Sequence, residues 1–594
     1  MSTTEVVALS CIAVVAVAST VIGSFGVRFA RNTSDFLVAS RTVGGTTNAS
    51  AISGEYLSAA SFLGVVGLVL KNGPDALWYP IGFTAGYLAL LLFVSAPLRR
   101  SGAYTVPDFA EFRLRSPMVQ RLCTLFVIII GWMFLLPQLQ GAGLTVATVA
   151  PEFPAWIGVV AAGVLVVATV VFGGMRSITF VQAFQYWLKL TALTVPAVAL
   201  IVIIGGNHHP FNRPAPPQFP HQTDLTVHAD VVLKVTQPVT FTVRGTVDGQ
   251  PADGPVTWAP GEHTVLTGAT MRFPANSSVP VPVGSPVRDS SWLTPISGDG
   301  MDPRYELFGI YSLIVATFLG TMGLPHVLVR FYTNPDGRAT RRTTVVVLAM
   351  LGAFYLMPTL LGALSRLYVP ELLVSGDTDA AVLRLPTAAL GNGLLPTVLA
   401  GLIAAGAWAA FLSTSSGLVV GIAGVLSASP TVLRRTGLRD FRVAAVVAGM
   451  VPLGLALVSA RPDFLVAVSM AFSVAASTFC PLLVLGIWWR GLTDRGAVAG
   501  LLAGGLTSTA AVTLSLFRVG KGGWLGMGLE RPALVTVPLA FLVMTMVSRA
   551  SAGRVLPDAP RLLLRLHAPE RLGLAGNTAG QPGDDEPESS PSEV

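Results

Sequence analysis

The chain has 594 residues, of which 52% are hydrophobic and 12% are charged, and its mean hydropathy is +0.66. Soluble globular proteins carry roughly 25% charged residues, so this composition excludes an ordinary soluble domain and predicts a protein that uses lipid as its solvent. The formal net charge of +7 does not indicate nucleic-acid binding, because the arginines lie mostly in loops on one side of the predicted membrane segments. The three cysteines all lie in apolar runs and offer neither a disulfide framework nor a CxxC metal motif.

Apolar segments long enough to cross a hydrocarbon core of about 30 Å recur along the whole chain. About thirteen membrane helices are predicted, at 5–27, 48–70, 77–97, 122–148, 155–174, 180–204, 305–329, 343–365, 393–427, 443–460, 463–486, 495–516 and 531–549. The first follows Glu5 and has no basic segment before it, so we expect a retained helix and not a cleaved signal peptide. The sequence therefore predicts an all-α polytopic membrane protein.

The loops between these helices alternate between arginine-rich and arginine-poor. The arginine-rich ones are 28–47, 98–121, 172–179, 330–342, 428–442 and 487–494, together with the C-terminal tail. Loops rich in arginine and lysine face the cytoplasm. We therefore expect a multi-pass protein of the cell (plasma) membrane, with its N-terminus outside and its C-terminus in the cytoplasm.

A polar, proline-rich segment at 205–303 interrupts the series of helices. Its alternating stretches, such as DLTVHADVVLKVT, are typical of strands, so we predict a small β-rich extracytoplasmic insertion between helices 1–6 (1–204) and helices 7–13 (304–549). Its scattered histidines leave a metal site as an alternative to a plain β-rich cap; they are His208, His209, His221, His228 and His263. Residues 550–594 are predicted to be a cytoplasmic tail, with a short basic amphipathic helix on the inner leaflet and a disordered acidic end.

The sequence lacks the motifs of a protein that carries out its own covalent chemistry. It contains no G-x-x-x-x-G-K-[ST] phosphate loop, no Ser-His-Asp set and no zinc motif. We therefore expect no enzyme activity, and a transporter that is powered by an ion gradient and not by ATP.

The stretch AISGEYLSAASFLGVVGLVL, residues 51–70, reads as a membrane helix with an interruption near its start. Gly54 weakens the helix, Glu55 and Tyr56 break the apolar pattern, and small residues follow. Broken helices at mid-membrane present backbone carbonyls to a transported cation. The alternative is that the small residues only allow close packing between helices.

A second polar group lies in AGAWAAFLSTSSGLVVGIAG, residues 404–423. Ala410, Ser413, Thr414 and Gly417 are spaced i, i+3, i+4 and i+7, so they share one helix face. Two adjacent hydroxyls near a free carbonyl suit a hard monovalent cation such as sodium. The alternative is that these hydroxyls bond to carbonyls of their own helix.

Several stretches in this order resemble the sodium:solute symporter family, and most closely its acetate and monocarboxylate permease branch. They are SDFLVASRTVGG (34–45), ISGEYLSAASFLG (52–64), LPQLQGAG (136–143), GGMRSITFVQ (173–182) and GTMGLPHVLVRFYT (320–333). The resemblance implies a leucine-transporter-type core of two inverted five-helix repeats, formed by helices 2–6 and 7–11. The resemblance does not include a counterpart of the 205–303 insertion.

The resemblance also implies where ion and solute bind. A sodium ion is expected between helices two and nine, held by the carbonyls of Ser53, Tyr56 and Ala410 and by the hydroxyls of Ser413 and Thr414. The residues expected to contact the solute are Glu55, Gln138, Gln140, Thr317, Thr321 and His326. Glu55 stands where acetate and proline carriers have aspartate and sugar carriers have asparagine. Arg330 is expected at the cytoplasmic end, and Lys189 is expected to extend towards the membrane surface.

These observations predict a secondary active transporter that imports a short-chain monocarboxylate (acetate, propionate or pyruvate) with sodium by alternating access. The alternative is a sodium- or proton-coupled symporter of another small solute such as proline, since Glu55 could carry a proton. A sensor is disfavoured because the roughly 45-residue tail is too short for a signalling domain. The expected partners are the solute and the lipid bilayer, with neither nucleic acid nor an obligate protein partner.

Overall fold

The computed structural model describes residues 1–27, 44–103, 105–204, 217–296, 303–331, 337–428, 438–459, 464–517 and 523–568. Within these ranges the chain is mostly helical, and twelve helical runs are long and apolar enough to cross a membrane. One of these runs, Ala60–Phe93, is divided at Gly73 and contains parts of two predicted spans. The predicted all-α membrane fold is therefore confirmed. The stretch 34–43, His208, His209 and the acidic end of the tail lie outside the described residues.

Eight helices precede the insertion in the described residues, and the second predicted span is interrupted between two of them, α2 and α3. They are α1 (Thr3–Val27), α2 (Gly45–Tyr56), α3 (Val65–Asn72), α4 (Trp78–Phe93), α5 (Ser95–Ser101), α6 (Val106–Leu114), α7 (Pro117–Val149) and α8 (Ala155–Ile204). A π-helical turn, Ala60–Gly64, precedes α3, and a 3-10 turn, Gly73–Leu77, joins α3 to α4. The predicted loop at 172–179 is wrong, because the backbone of α8 stays helical through it.

The insertion contains one antiparallel sheet, as its alternating pattern predicts. Its strands are β1 (Thr223–Thr226), β2 (Val231–Val235), β3 (Val239–Val247), β4 (Gln250–Trp258), β5 (Gly261–Val265), β6 (Thr270–Phe273) and β7 (Val281–Pro282). The strand order is β1-β6-β3-β5-β2-β7, and β4, which is outside this path, pairs with β3. The buried face is apolar and includes Phe241, Trp258 and Phe273, with 4.5 Å between the ring centroids of Phe241 and Trp258.

The helices after the strands complete the membrane part. They are α9 (Asp289–Trp292), α10 (Pro303–Gly323), α11 (Pro325–Phe331), α12 (Gly337–Tyr368), α13 (Leu372–Ser375), α14 (Ala381–Leu390), α15 (Leu394–Ala428), α16 (Leu438–Val458), α17 (Phe464–Trp488), α18 (Asp494–Leu516), α19 (Gly523–Glu530), α20 (Ala533–Ala550) and α21 (Ala559–His567). Helix α8 packs against α1, α2, α7 and α15, while α10 packs against α4 and α17. The predicted tail helix is present as α21. It packs on the protein, because Leu563 and Leu566 are buried and Arg100 donates to the carbonyls of Leu566 and His567.

The insertion is fastened to the end of α3 through α9. The indole Nε1 of Trp292 donates to the carbonyls of Val69 (3.0 Å) and Leu70 (3.2 Å). The guanidinium of Arg366, on α12, lies 5.6 Å from the centroid of the Trp292 ring, and its Nε pairs with Asp289 Oδ1 at 3.4 Å. Thus α9 joins the C-terminal ends of α3 and α12.

A glycine makes this junction sterically feasible. Gly73 has φ +60° and ψ −136°, and a Cβ built on it would collide with the backbone carbonyl of Trp292. Gly391, after α14, has a similar backbone conformation (φ +72°, ψ −152°) but no neighbour within 4 Å of its Cβ position. The two glycines therefore share the backbone requirement, and only Gly73 has the close contact.

We expect Gly73→Ala to lower the thermal unfolding midpoint of the detergent-purified protein more than Gly391→Ala. Both substitutions carry a backbone strain of about 1–3 kcal/mol, and Gly73→Ala adds an overpacking cost of about 1–3 kcal/mol at Trp292. Equal shifts in the two variants would show that the junction with Trp292 contributes nothing to stability.

Candidate functional site

The interruption of the second predicted helix lies at Leu57 and Ser58. Helix α2 continues to Tyr56, and Leu57 then has a non-helical conformation (φ −75°, ψ +88°). The expectation that Gly54 breaks the helix is wrong, because Gly54 lies within α2. It is needed instead for close packing, since a Cβ at Gly54 would collide with the Gln182 carbonyl on α8. The helix therefore ends about one turn after the glycine.

A side chain from α7 satisfies one of the freed groups. Gln138 Oε1 accepts a hydrogen bond from the backbone N–H of Ala59 at 2.9 Å. A buried N–H without a partner costs about 1–3 kcal/mol, so Gln138 stabilises the broken conformation. Its Nε2 is buried and has no hydrogen-bond partner among the described residues.

The predicted polar face of α15 lies against α2. Thr414 Oγ1 donates to the carbonyl of Glu55 at 2.6 Å, and Ser413 Oγ donates to the carbonyl of Ala410 at 3.1 Å. Gly417 faces the Glu55 side chain so closely that a Cβ would collide with the carboxylate. The i, i+3, i+4, i+7 pattern thus marks a contact surface with the helix that carries the break.

The ammonium of Lys189 lies between these two helices. Lys189 Nζ, from α8, donates to the carbonyls of Gly54 and Leu57 (2.7 Å for Leu57) and to Ser413 Oγ at 2.9 Å. The side chain is completely buried. The expectation that Lys189 extends to the membrane surface is therefore wrong, because its charge is bound within the core.

A buried ion pair adjoins this position. Arg330 Nε, on α11, pairs with Glu55 Oε2 at 2.5 Å. The same guanidinium donates to Thr179 Oγ1 at 2.9 Å and to Gln182 Oε1, both on α8. Gln182 Nε2 in turn donates to the Ser413 carbonyl at 2.7 Å. This network connects α2, α8, α11 and α15, so the Arg330 guanidinium is bound inside the protein core.

The residues predicted to bind sodium are all buried, and they divide into two groups. Ala410, Ser413 and Thr414 lie at the contact with α2 described above. The Ser53 carbonyl accepts the Leu57 N–H at 3.0 Å, and the Tyr56 hydroxyl bonds to Thr321 Oγ1 at 3.0 Å. The local oxygens are neutral carbonyls and hydroxyls, which suit a hard monovalent cation. In this structure Lys189 donates to one of the predicted ligands, Ser413 Oγ, and to the carbonyls of Gly54 and Leu57, which were not among them.

The residues predicted to contact the solute are only partly brought together. Thr321 bonds to Tyr56, and His326 lies edge-on to Phe134 with 5.2 Å between ring centroids. His326 Nε2, like Gln138 Nε2, is buried without a partner among the described residues. Thr317 bonds within its own helix to the Leu313 carbonyl at 2.8 Å. Gln140 is directed away, towards Ser459 at the end of α16.

A small cavity lies beside the break. Tyr56, Ser58, Ala60, Ser61, Phe83, Phe134, Tyr355, Val468 and Phe472 line it. Its volume is about 10 Å³, roughly the space that one water molecule needs. Tyr355 closes one side through a 3.0 Å hydrogen bond with Ser61 Oγ. A solute larger than water therefore requires the aromatic side chains to move.

Sequence reasoning missed the aromatic walls and the place of Lys189. Phe83, Phe134 and Phe472 lie in predominantly apolar stretches, where nothing in the sequence distinguishes them from packing residues. Lys189 did leave a signal, because a charged residue inside a membrane helix indicates a functional site unless shown otherwise.

We expect Gly417→Ala to separate α2 from α15 and to lower the thermal unfolding midpoint, because the new methyl group would collide with Glu55. The overpacking cost is about 1–3 kcal/mol. Gly424→Ala on the same helix has no neighbour within 4 Å and is the control; we expect it to be neutral or stabilising, since alanine favours a helix over glycine by about 1 kcal/mol. Equal melting of Gly417→Ala and Gly424→Ala would contradict this contact.

Two known proteins are similar in sequence to most of this chain. A monocarboxylic acid transporter of Corynebacterium glutamicum is 28% identical over 528 residues, covering 86% of this chain and 85% of that protein. An uncharacterized symporter of Bacillus subtilis, YwcA, is 26% identical over 540 residues, covering 88% and 90%.

Solved structures share the fold. A sodium-coupled sialic acid symporter in a substrate-bound, outward-open state matches with a TM-score of 0.61 at 13% identity, covering 92% of this chain and 97% of that one. The nucleobase-cation-symport-1 transporter Mhp1, in a closed conformation with bromovinylhydantoin bound, matches with a TM-score of 0.52 at 13% identity, covering 90% and 99%. The leucine-transporter-type fold is thereby shown.

The sequence model of the sodium:solute symporter family matches residues 36–246 and 290–504, which is most of the chain. The match includes the broken helix α2–α3, the Gln138 segment and the polar face of α15. The chain belongs to the sodium:solute symporter family.

Proposed function

We propose that this chain imports a short-chain monocarboxylate, such as acetate, propionate or pyruvate, together with sodium by alternating access. The observation that carries the proposal is the break at Leu57 and Ser58, which lies beside a small cavity. Just before the break, the Glu55 carbonyl accepts a hydrogen bond from the Thr414 hydroxyl of α15. Secondary transporters bind ion and solute at such broken helices. The name of the Corynebacterium relative supports the class of solute.

The chemistry around the cavity favours a small anion with a short apolar chain. The walls include the rings of Phe83, Phe134 and Phe472, which can contact an alkyl group. Gln138 Nε2 and His326 Nε2 are buried atoms with unused hydrogen-bonding capacity among the described residues. A carboxylate bound there would accept a hydrogen bond from the Gln138 amide, whose oxygen bonds to Ala59 at the break, and from His326 in the tautomer that has its proton on Nε2. These bonds would remove the cost of leaving the two atoms unpaired.

In the proposed cycle, sodium bridges α2 and α15 and stabilises the outward-open state. Its ligands would be the carbonyls of Ser53, Tyr56 and Ala410 and the hydroxyls of Ser413 and Thr414. Release into the cytoplasm follows when α2 and α15 separate. The proposal includes an external position for the 205–303 insertion, an external N-terminus and a cytoplasmic C-terminus, as the arginine-rich loops predict.

We expect the double variant Ser413→Ala/Thr414→Ala to raise the sodium concentration for half-maximal uptake at least tenfold, which corresponds to about 1.4 kcal/mol. The measurement is uptake of labelled acetate, pyruvate and proline by proteoliposomes in sodium or choline chloride. Ser427→Ala on the same helix is the control, because its hydroxyl donates to the Gly424 carbonyl of its own helix.

A full sodium response in the double variant would contradict the ion site. Transport of proline without transport of either monocarboxylate would contradict the class of solute.

A further inference from the structure

Lys189 is unusual in this chain because lysine is scarce and this lysine lies inside a membrane helix. The chain has four lysines, and Lys189 lies in the second membrane-spanning half of α8. A charge in this environment is costly unless it is bound by other groups. Nothing in the proposed transport cycle has yet given Lys189 a function.

The partners of Lys189 are those of a bound monovalent cation. Its ammonium has three protons to donate, and three oxygens accept them: the Gly54 carbonyl, the Leu57 carbonyl and Ser413 Oγ. Two come from the broken helix and one from α15. All three are neutral, and no carboxylate among the described residues contacts Nζ.

The nearby carboxylate is engaged elsewhere. Glu55 Oε2 pairs with Arg330 Nε at 2.5 Å, although Glu55 follows Gly54, whose carbonyl binds Lys189. Lys189 is therefore held as a cation is held in an ion site, by oxygen dipoles, with a negative charge close by but not in contact.

We propose that the Lys189 ammonium and a sodium ion are alternative occupants of one site between α2 and α15. Ser413 Oγ is shared by the ammonium and by the sodium ligand set, so two cations at this point would lie within a few ångströms and repel each other in a low-dielectric core. Sodium then binds only as Lys189 leaves. This inference rests on the proposed function, in which sodium uses the same hydroxyl.

Exchange of occupants gives Lys189 a mechanical consequence as well. While bound, its side chain ties α8 to both α2 and α15. When sodium replaces the ammonium, α2 and α15 remain bridged, and the link that Lys189 makes from α8 to these two helices is released. Lys189 thus lowers the apparent affinity for sodium and distinguishes the sodium-free state from the sodium-bound one.

The test is equilibrium binding of radioactive ²²Na⁺ to the purified full-length protein, with choline chloride holding the ionic strength constant. Lys189→Met keeps much of the side chain's length and removes its charge. We expect it to bind sodium at least tenfold more tightly than the wild type. Lys234→Met, in β2 of the insertion, is the matched control and should leave sodium affinity unchanged.

A further variant locates the gained site. Lys189→Met/Ser413→Ala should lose the added sodium affinity, because the shared hydroxyl is gone. If Lys189→Met folds, as judged by its melting curve, and binds sodium no more tightly than the wild type, the inference is overturned. If Lys189 only stabilised the break, the folded Lys189→Met variant would bind sodium no more tightly than the wild type.

The wild-type chain provides a measurement that does not depend on the variant's folding. In protein labelled with ¹⁵Nζ-lysine, saturating sodium should shift one of the four lysine signals, while choline should not. Saturable sodium binding without such a shift would also overturn the inference. Failure of the wild type to exchange labelled acetate or pyruvate would instead contradict the proposed solute and leave these two sodium measurements valid.

Discussion

The structure depends on one constraint: a helix broken inside a membrane must have its freed backbone groups satisfied by other parts of the protein. Lipid offers no hydrogen bonds, so each unsatisfied group would cost several kcal/mol. Here Gln138 on α7 accepts the Ala59 N–H, while Lys189 on α8 binds the carbonyls of Gly54 and Leu57. The break therefore dictates which polar side chains occupy the neighbouring helices.

The same constraint explains why small residues occur where the helices meet. Gly54 lets α2 approach the backbone of α8, and Gly417 makes room for the Glu55 carboxylate. This close approach brings Arg330 within hydrogen-bond distance of the Glu55 carboxylate. It also lets Gln182 donate to the Ser413 carbonyl on α15. Removing one partner of such a buried ion pair typically costs about 3–5 kcal/mol, so the charged residues and the glycines form one structural unit.

The sequence could predict the features that follow from composition and periodicity. Hydropathy predicts the membrane helices, and the i, i+3, i+4, i+7 spacing predicts that Ser413, Thr414 and Gly417 share a face. The residue at which α2 ends is not encoded in that way, because it depends on the backbone angles of Leu57 and on tertiary partners. Gly54 thus indicated the neighbourhood of the break, while the helix itself ends at Tyr56.

Residues with side chains long enough to reach several places were the hardest to predict. Gln138 and Gln140 lie two residues apart on α7. Gln138 accepts the Ala59 N–H at the break, whereas Gln140 donates to Ser459, which follows α16. Lys189 could have pointed to the membrane surface, and only the positions of α2 and α15 show where its ammonium is bound. The assignments of ion and solute ligands stay predictions, because they concern groups that bind something outside the chain.

The α9 junction couples the insertion mechanically to the broken helix. Trp292 bonds to the last turn of α3, and Asp289 pairs with Arg366 on α12. A displacement of α3 would therefore be transmitted to the insertion, which is held at a second place where the His228 N–H donates to the Ser375 carbonyl of α13 at 3.0 Å. A force on the strands would be divided between these two attachments, and one share would act on the helical segment that follows the break at Leu57 and Ser58.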